Sequence, residues 1–308
     1  MHSGNPERAV RTAAEQAEQK VALVTGATNG IGKVTALELA KLGYRVLLTS
    51  RDPVKGQRVL EELRAQSGSD AFELYVGDLS SMGDVRRVAL EVNDKHKTLD
   101  VLINNAGGVF SERQTTVDGF EYTFAFNHLA YFLLTSLLLA HLKAAADLTG
   151  EARVVSVSSS ANNLGRMRWN DLQFTHGYSG VPAYSQSKLM NVLFAGALAR
   201  RLSGLGVTSN SLHPGIVNTG FNFRPGGIMN IVFALSKLTA ISPEQGAQTS
   251  LYLATSPEVM GVTGQYFIKK KTARANPVAY NEAAQDRLWA LSETLLSKWL
   301  DPVTVPPA

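Results

Sequence analysis

Two side chains carry the chemistry that is easiest to name. Tyr184 and Lys188 stand four residues apart, so on a helix they share one face, a turn from each other. A phenol titrates near ~10 in water, too high for efficient proton exchange at neutral pH, and a cation held beside it lowers that value. The pair reads as an acid/base device in which Tyr184 exchanges the proton and Lys188 tunes it. A second device is the run Thr25-Gly26-Ala27-Thr28-Asn29-Gly30-Ile31-Gly32, which follows an apolar segment directly and opens into a helical one. Glycines there let the backbone turn tightly and approach a pyrophosphate, whose charge the helix N-terminus stabilises. Ser156, Ser158, Ser159 and Ser160 gather at the end of another apolar segment and offer competing hydroxyls.

Such groups need a frame that brings distant segments to one edge. Apolar or β-branched runs at Val21–Thr25, Arg45–Ser50, Phe72–Val76, Val101–Asn104, Arg153–Ser158, Val207–Leu212 and Gln265–Ile268 predict strands buried on both faces. Helical spacing marks Lys33–Leu42, Asp84–Asn93, Phe120–Leu142, Tyr184–Leu202 and Pro243–Leu253 between them. This alternation predicts an α/β fold, a Rossmann-type doubly wound parallel sheet in a single domain. Residues 1–19 are polar and alanine-rich and read as an extension ahead of a domain spanning 20–308. Leu288, Leu291, Leu295, Leu296 and Trp299 recur at helical intervals and predict a last amphipathic helix at about 281–300. Two connections are long, 160–183 and 214–242, and both leave the carboxyl ends of strands, where open α/β sheets bind ligands. The second carries Pro225-Gly226-Gly227 and dense apolar residues from Phe221 to Leu238, which reads as a substrate lid with a hinge, or else as a helix packed on the core, an oligomer contact or a membrane-surface contact.

In this order the motifs resemble those of the short-chain dehydrogenase/reductase family. The glycines are spaced Gly-x-x-x-Gly-x-Gly, Asp78 follows the third strand, and Asn104-Asn105-Ala106-Gly107 follow the fourth. Asn127 lies in a helix, Ser158-Ser159 follow the fifth strand, Tyr184-x-x-x-Lys188 opens the next helix, and Pro214-Gly215 follow the sixth strand. The likeness covers about residues 20 to 270. The stretch from Val157 to Arg166 is similar to the retinol-dehydrogenase-like branch, whose second serine is catalytic, here Ser159. The resemblance implies an oxidoreductase that moves a hydride between a nicotinamide and a carbonyl or alcohol. On it, Tyr184 is the general acid/base, Lys188 also holds the nicotinamide ribose, Ser159 orients the substrate oxygen, and Asn127 holds a water that links Lys188 to solvent. Cofactor contacts are implied for Gly26, Thr28, Asn29, Gly30, Ile31 and Gly32, for Asp78 and Leu79 at the adenine, and for Asn105, Ala106 and Gly107. Tyr184, Lys188, Pro214, Gly215, Val217 and Thr219 are implied beside the nicotinamide. Arg51 stands at the end of the second strand, where a carboxylate would select NAD. A guanidinium matches a 2′-phosphate, so the expected cofactor is NADP(H), with Lys55 as a helper and Asp52 as a competing signal.

At 308 residues the chain can bury one large core. Without cysteine it has no disulfide, thiolate metal site or cysteine nucleophile. Histidines at 2, 96, 128, 141, 176 and 213 show no paired spacing, so no metal is expected. The net charge of +4 is spread along the chain and gives no support to a nucleic-acid partner. Lys269–Lys271 with Arg274 is the exception, read as a solvated loop or else as a contact for an anionic membrane surface. No apolar run of ~20 residues is expected to span a bilayer, and a cytoplasmic location is expected. Peripheral membrane contact stays open, as does a homo-oligomer, which family members often build on the helices corresponding to Phe120–Leu142 and Tyr184–Leu202. The expected partner is a small lipophilic carbonyl or alcohol. Two readings compete: an epimerase or dehydratase of the extended family, typically with Gly-x-x-Gly-x-x-Gly and a larger C-terminal domain, and a non-catalytic NADP(H)-binding sensor or interaction protein, which a lost catalytic residue would favour. The sequence carries neither sign.

Overall fold

The structure of the protein, a computed structural model, describes residues 19–216 and 241–300. The expectations for residues 1–18, for Val217 and Thr219, and for the apolar segment 221–238 fall outside them. Among the described residues one sheet runs β3-β2-β1-β4-β5-β6-β7-β8. Its strands are β1 (Val21–Val24), β2 (Arg45–Ser50), β3 (Phe72–Val76), β4 (Val101–Asn104), β5 (Ala152–Val157), β6 (Val207–His213), β7 (Tyr266–Ile268) and β8 (Lys271–Thr272). All neighbours are parallel except β7 and β8. Every residue of β1, β4 and β5 is buried, because helices cover both faces, and this is why those strands read as apolar runs rather than as alternation. The expected doubly wound α/β domain is the fold observed.

The strand β8 was not expected. It pairs back on β7 through Lys269 and Lys270, which take φ of 50° and 63°. A two-residue hairpin turn needs this left-handed pair and usually draws Asn-Gly, so lysines there conceal the turn from a sequence reading.

Helices α1 (Gly30–Lys41), α2 (Pro53–Ser67) and α6 (Pro243–Thr255) lie on one side; α3 (Met82–Lys95), α4 (Tyr122–Thr149), α5 (Gly180–Arg201) and α7 (Glu282–Leu296) lie on the other. Helix α4 outruns its expected end by a turn or more and stops at Gly150, whose φ of 85° is the left-handed cap. By length and composition α4 could cross a membrane, which corrects the expectation that no segment would qualify. Yet 78% of its apolar window is buried inside the domain, so core packing accounts for its composition. Helix α7 lies over α4 and α5. Its Trp289, 3% exposed, meets Phe132 at 4.7 Å and stacks on Phe194 at 6.0 Å. The face expected to carry an oligomer contact is thus covered, at these aromatics, by the chain's own last helix.

The connections from β1 and β4 leave on opposite sides of the sheet, so a crevice opens beyond the carboxyl ends of these two neighbouring strands. Both long connections expected to be functional begin at this edge. The first, 160–183, is pinned back by Gln186, which accepts from Arg168 N at 2.8 Å and donates to Leu172 O at 2.9 Å.

Candidate active site

The glycine run sits in that crevice. Gly26 has φ of 64°, and a Cβ on it would come within 2.9 Å of Ala106 Cα; one on Gly32 would come within 2.5 Å of Gly26 O. Only glycine fits at either position, and what the missing side chains leave is bare backbone facing the crevice. Asn29 caps α1, accepting from Gly30 N at 2.8 Å, so the helix opens with Gly30, Ile31 and Gly32 directly after this loop. The loop is tied to β4: Thr25 Oγ1 accepts from Asn105 N at 2.8 Å and Ala106 N at 3.0 Å, and Asn105 Nδ2 donates to Thr25 O at 2.8 Å. Asn105, at a position expected to contact the cofactor, also holds this loop through its amide nitrogen. These features form the cradle that a dinucleotide pyrophosphate requires.

Tyr184 and Lys188 do lie on one face of α5, which starts earlier than expected, at Gly180. A Cβ on Gly180 would meet Phe110 O at 2.3 Å, so the helix can begin there only with glycine. Lys188 is 3% exposed, its Nζ donates to Val157 O at 3.0 Å, and it stands 5.7 Å from the ring centres of both Tyr184 and Tyr131. Burial pushes its amine down to about 7. Burial pushes the Tyr184 phenol up, and the hydrogen bond with Ser159 acts downward on it. Lys188 Nζ lies against the Val157 carbonyl, and Ser159 is the group that acts downward on the phenol here. Asn127 is buried inside a turn of π-helix, Ala125–Leu129, within α4. Its Oδ1 accepts from Gly108 N at 2.8 Å, while its Nδ2 donates to Gly108 O at 2.9 Å and to Ser187 Oγ at 3.0 Å. A Cβ on Gly107 would sit 3.2 Å from both Asn127 Oδ1 and Lys188 Nζ, so these two polar groups border one space.

The serines separate by geometry. Ser158 is 2% exposed and donates to Lys188 O at 2.7 Å, whereas Ser159 is partly exposed and is the partner of Tyr184. Ser158→Ala should cost stability, about 1 kcal/mol for the lost hydrogen bond, with turnover largely kept. Ser159→Ala should lower turnover about a hundredfold at little cost in melting temperature. Measuring both quantities on both variants checks the assignment, and a reversal would exchange the two roles.

A cavity of about 510 Å³ extends from the glycine loop to Arg51. Of the residues expected at the cofactor, Gly26, Thr28, Arg51, Asp78, Leu79, Ala106 and Gly107 line it. Asp78 accepts from Ser80 N and Oγ with one oxygen, at 2.9 and 2.8 Å. Asp52, the competing signal for NAD, caps α2 by accepting from Lys55 N at 3.0 Å. Its carboxylate is thereby committed to the helix, and no carboxylate pairs with Arg51 among the described residues. Pro214 and Gly215 follow β6 directly, and Gly215 takes φ of 99°. The lining residues that escaped the sequence reading include Gly77, Gly108 and Val109 and the aromatic residues Phe110, Tyr122 and Phe126. The i,i+4 spacing of the last two, just before Asn127, was the available signal.

The pattern of a short chain dehydrogenase matches residues 20–224. The chain belongs to the short-chain dehydrogenase family. Within it the chain sits in the retinol-dehydrogenase-like branch: retinol dehydrogenase 14 of Homo sapiens is 41% identical over 294 residues, covering 90% of this chain and 86% of that protein. Among solved structures, a putative uncharacterized protein from Mycobacterium paratuberculosis matches with a TM-score of 0.72 and 33% identity, over 91% of this chain and 94% of that one. The RhlG/NADP active-site complex of Pseudomonas aeruginosa matches with a TM-score of 0.64 and 26% identity, over 80% and 93%. This short-chain dehydrogenase is thus an oxidoreductase acting at a CH–OH group with a nicotinamide cofactor.

Proposed function

We propose that the protein is an NADP(H)-dependent dehydrogenase or carbonyl reductase for a lipophilic substrate of retinoid, steroid or aliphatic type, with Tyr184 as the general acid/base. The observation that carries the reading is the meeting of Tyr184, Ser159 and Lys188 beside a crevice whose far end bears Arg51, which has no carboxylate partner among the described residues. When bound, the nicotinamide supplies the place from which hydride leaves or to which it comes. Gly26 to Gly32 would hold the pyrophosphate, Asp78 and Leu79 the adenine, and Pro214 and Gly215 the nicotinamide side. Ser159 receives the substrate oxygen and orients it. Tyr184 gives that oxygen its proton in reduction and takes it back in oxidation, while Lys188 and Asn127 border the route by which the proton is replaced. The names of the relatives and the apolar residues of 221–238 both favour a lipophilic substrate. Purified protein with NADPH, tested against retinal, steroid, aliphatic and quinone carbonyls, should turn over at least one lipophilic class. Silence across the whole series, with NADPH bound, would leave only a binding protein.

Cofactor choice has its own test. Losing a charge-assisted contact to phosphate costs about 1.5–3 kcal/mol, so Arg51→Ala should weaken NADPH by about one to two orders of magnitude and leave NADH nearly unchanged. Equal losses for the two cofactors would assign Arg51 to the fold.

A further inference from the structure

The cavity wall opposite Arg51 is built with unusual care. Glu121, 1% exposed, caps the start of α4 with both carboxylate oxygens, accepting from Thr123 N and Phe124 N at 2.7 Å each. This fixes Tyr122 in the first turn, with its own amide donating to Gln114 O at 3.0 Å. The Tyr122 ring meets Phe110 edge-on at 4.6 Å and Phe126 at 5.9 Å. Phe110 is held in turn by Tyr178, whose hydroxyl donates to Phe110 O at 2.9 Å. Gly108 makes room for the Phe110 ring, since a Cβ there would lie 2.7 Å from Phe110 Cζ.

From this wall the Tyr122 hydroxyl meets Arg51, whose Nη1 donates to it at 3.5 Å. At that length the bond is weak and easily exchanged for a better acceptor. Arg51 is exposed, and among the described residues the Tyr122 proton has no acceptor of its own. Two donors, one of them cationic, therefore converge on one corner of the cavity from elements 71 residues apart, without an anionic side chain of the described residues between them. A phosphate monoester supplies what both lack: charge for the guanidinium and lone pairs for both donors.

We propose that Tyr122 is a specificity-determining residue that reads the 2′-phosphate of the cofactor together with Arg51, the two closing on it from opposite walls. This rests on the NADP(H) reading given above. The aromatic packing makes the hydroxyl a preset donor, so little freedom is lost when phosphate arrives.

The test uses two fragments that differ only by the phosphate in question: adenosine 2′,5′-bisphosphate and adenosine 5′-monophosphate. Their dissociation constants are measured by calorimetry on the full chain, on Tyr122→Phe, which keeps the ring, and on Arg51→Ala. The wild type should prefer the bisphosphate. Tyr122→Phe should lose about tenfold in affinity for the bisphosphate and nothing for the monophosphate. Arg51→Ala should lose more, on the same fragment only. If Tyr122→Phe matches the wild type on both fragments while Arg51→Ala does not, the tyrosine is a wall and the inference fails, with the cofactor reading intact. Equal losses by Tyr122→Phe on both fragments also overturn it, since the hydroxyl would then act on the shared adenosine 5′-phosphate. If the wild type itself binds the two fragments alike, the NADP(H) reading falls and Tyr122 with it.

Discussion

Tyr184→Phe is expected to lower turnover by about 10²–10⁴-fold and to leave NADPH binding nearly unchanged. The substitution removes one oxygen and keeps the ring, so the packing around it survives. What disappears is the hydroxyl proposed to give the proton, together with its interaction with Ser159. The glycine cradle and Arg51 do not touch this oxygen, which is why binding should hold. Stopped-flow turnover with a reactive carbonyl, alongside NADPH titration, separates the two quantities. A Phe variant retaining more than about a tenth of wild-type turnover would show that another group delivers the proton. Burial raises the phenol, so Tyr184 stays protonated at neutral pH, as a donor in carbonyl reduction must be. Oxidation needs the reverse transfer and should gain more from rising pH than reduction does.

The sequence made the frame and the shared helix face of Tyr184 and Lys188 legible because both obey short-range rules. Apolar runs mark β1, β4 and β5 as strands buried on both faces, and the spacing of Tyr184 and Lys188 fixes their shared helix face without knowledge of tertiary contacts. Other features depend on partners far away in the chain. Nothing local to Asn127 announces a π-helical turn, whose polar contacts are Gly108 and Ser187. Trp289 reads as one more apolar residue of an amphipathic helix until Phe132 and Phe194 close around it. Asn105 has the right type and place for a cofactor contact, and only the bonds to Thr25 and Gly26 reveal its other work. Ser158 and Ser159 are alike in sequence and are told apart by which one faces α5 backbone and which faces Tyr184.

Lys188→Met should make the cofactor-free protein more heat-stable while removing most of its turnover. The amine is buried beside a carbonyl and two phenol rings, and no ion pair among the described residues offsets its charge. Its folded value of about 7 lies below the ordinary 10.5. Between these values the unfolded chain binds a proton that the folded chain has lost, so stability rises with pH across this window. At and below pH 7 the folded protein carries the full cost of the buried charge, on the order of 5 kcal/mol as a ceiling. Methionine fills similar space without charge, and Val157 O keeps Asn191 Nδ2 as a donor at 3.3 Å. A net gain of about 1–3 kcal/mol at pH 7 would raise the melting temperature by several degrees, at roughly 2–4 °C per kcal/mol. The gain should shrink as pH climbs from 7 towards 10.5, because the folded lysine is then neutral while the unfolded one still takes up a proton. Melting curves of both proteins from pH 6.5 to 10 test this, and a variant that melts lower at pH 7, or a difference indifferent to pH, would refute it. The expected loss of turnover explains why such a charge is kept: a group useful for handling protons must be able to gain and lose one near neutral pH, and burial gives Lys188 that property at the expense of stability.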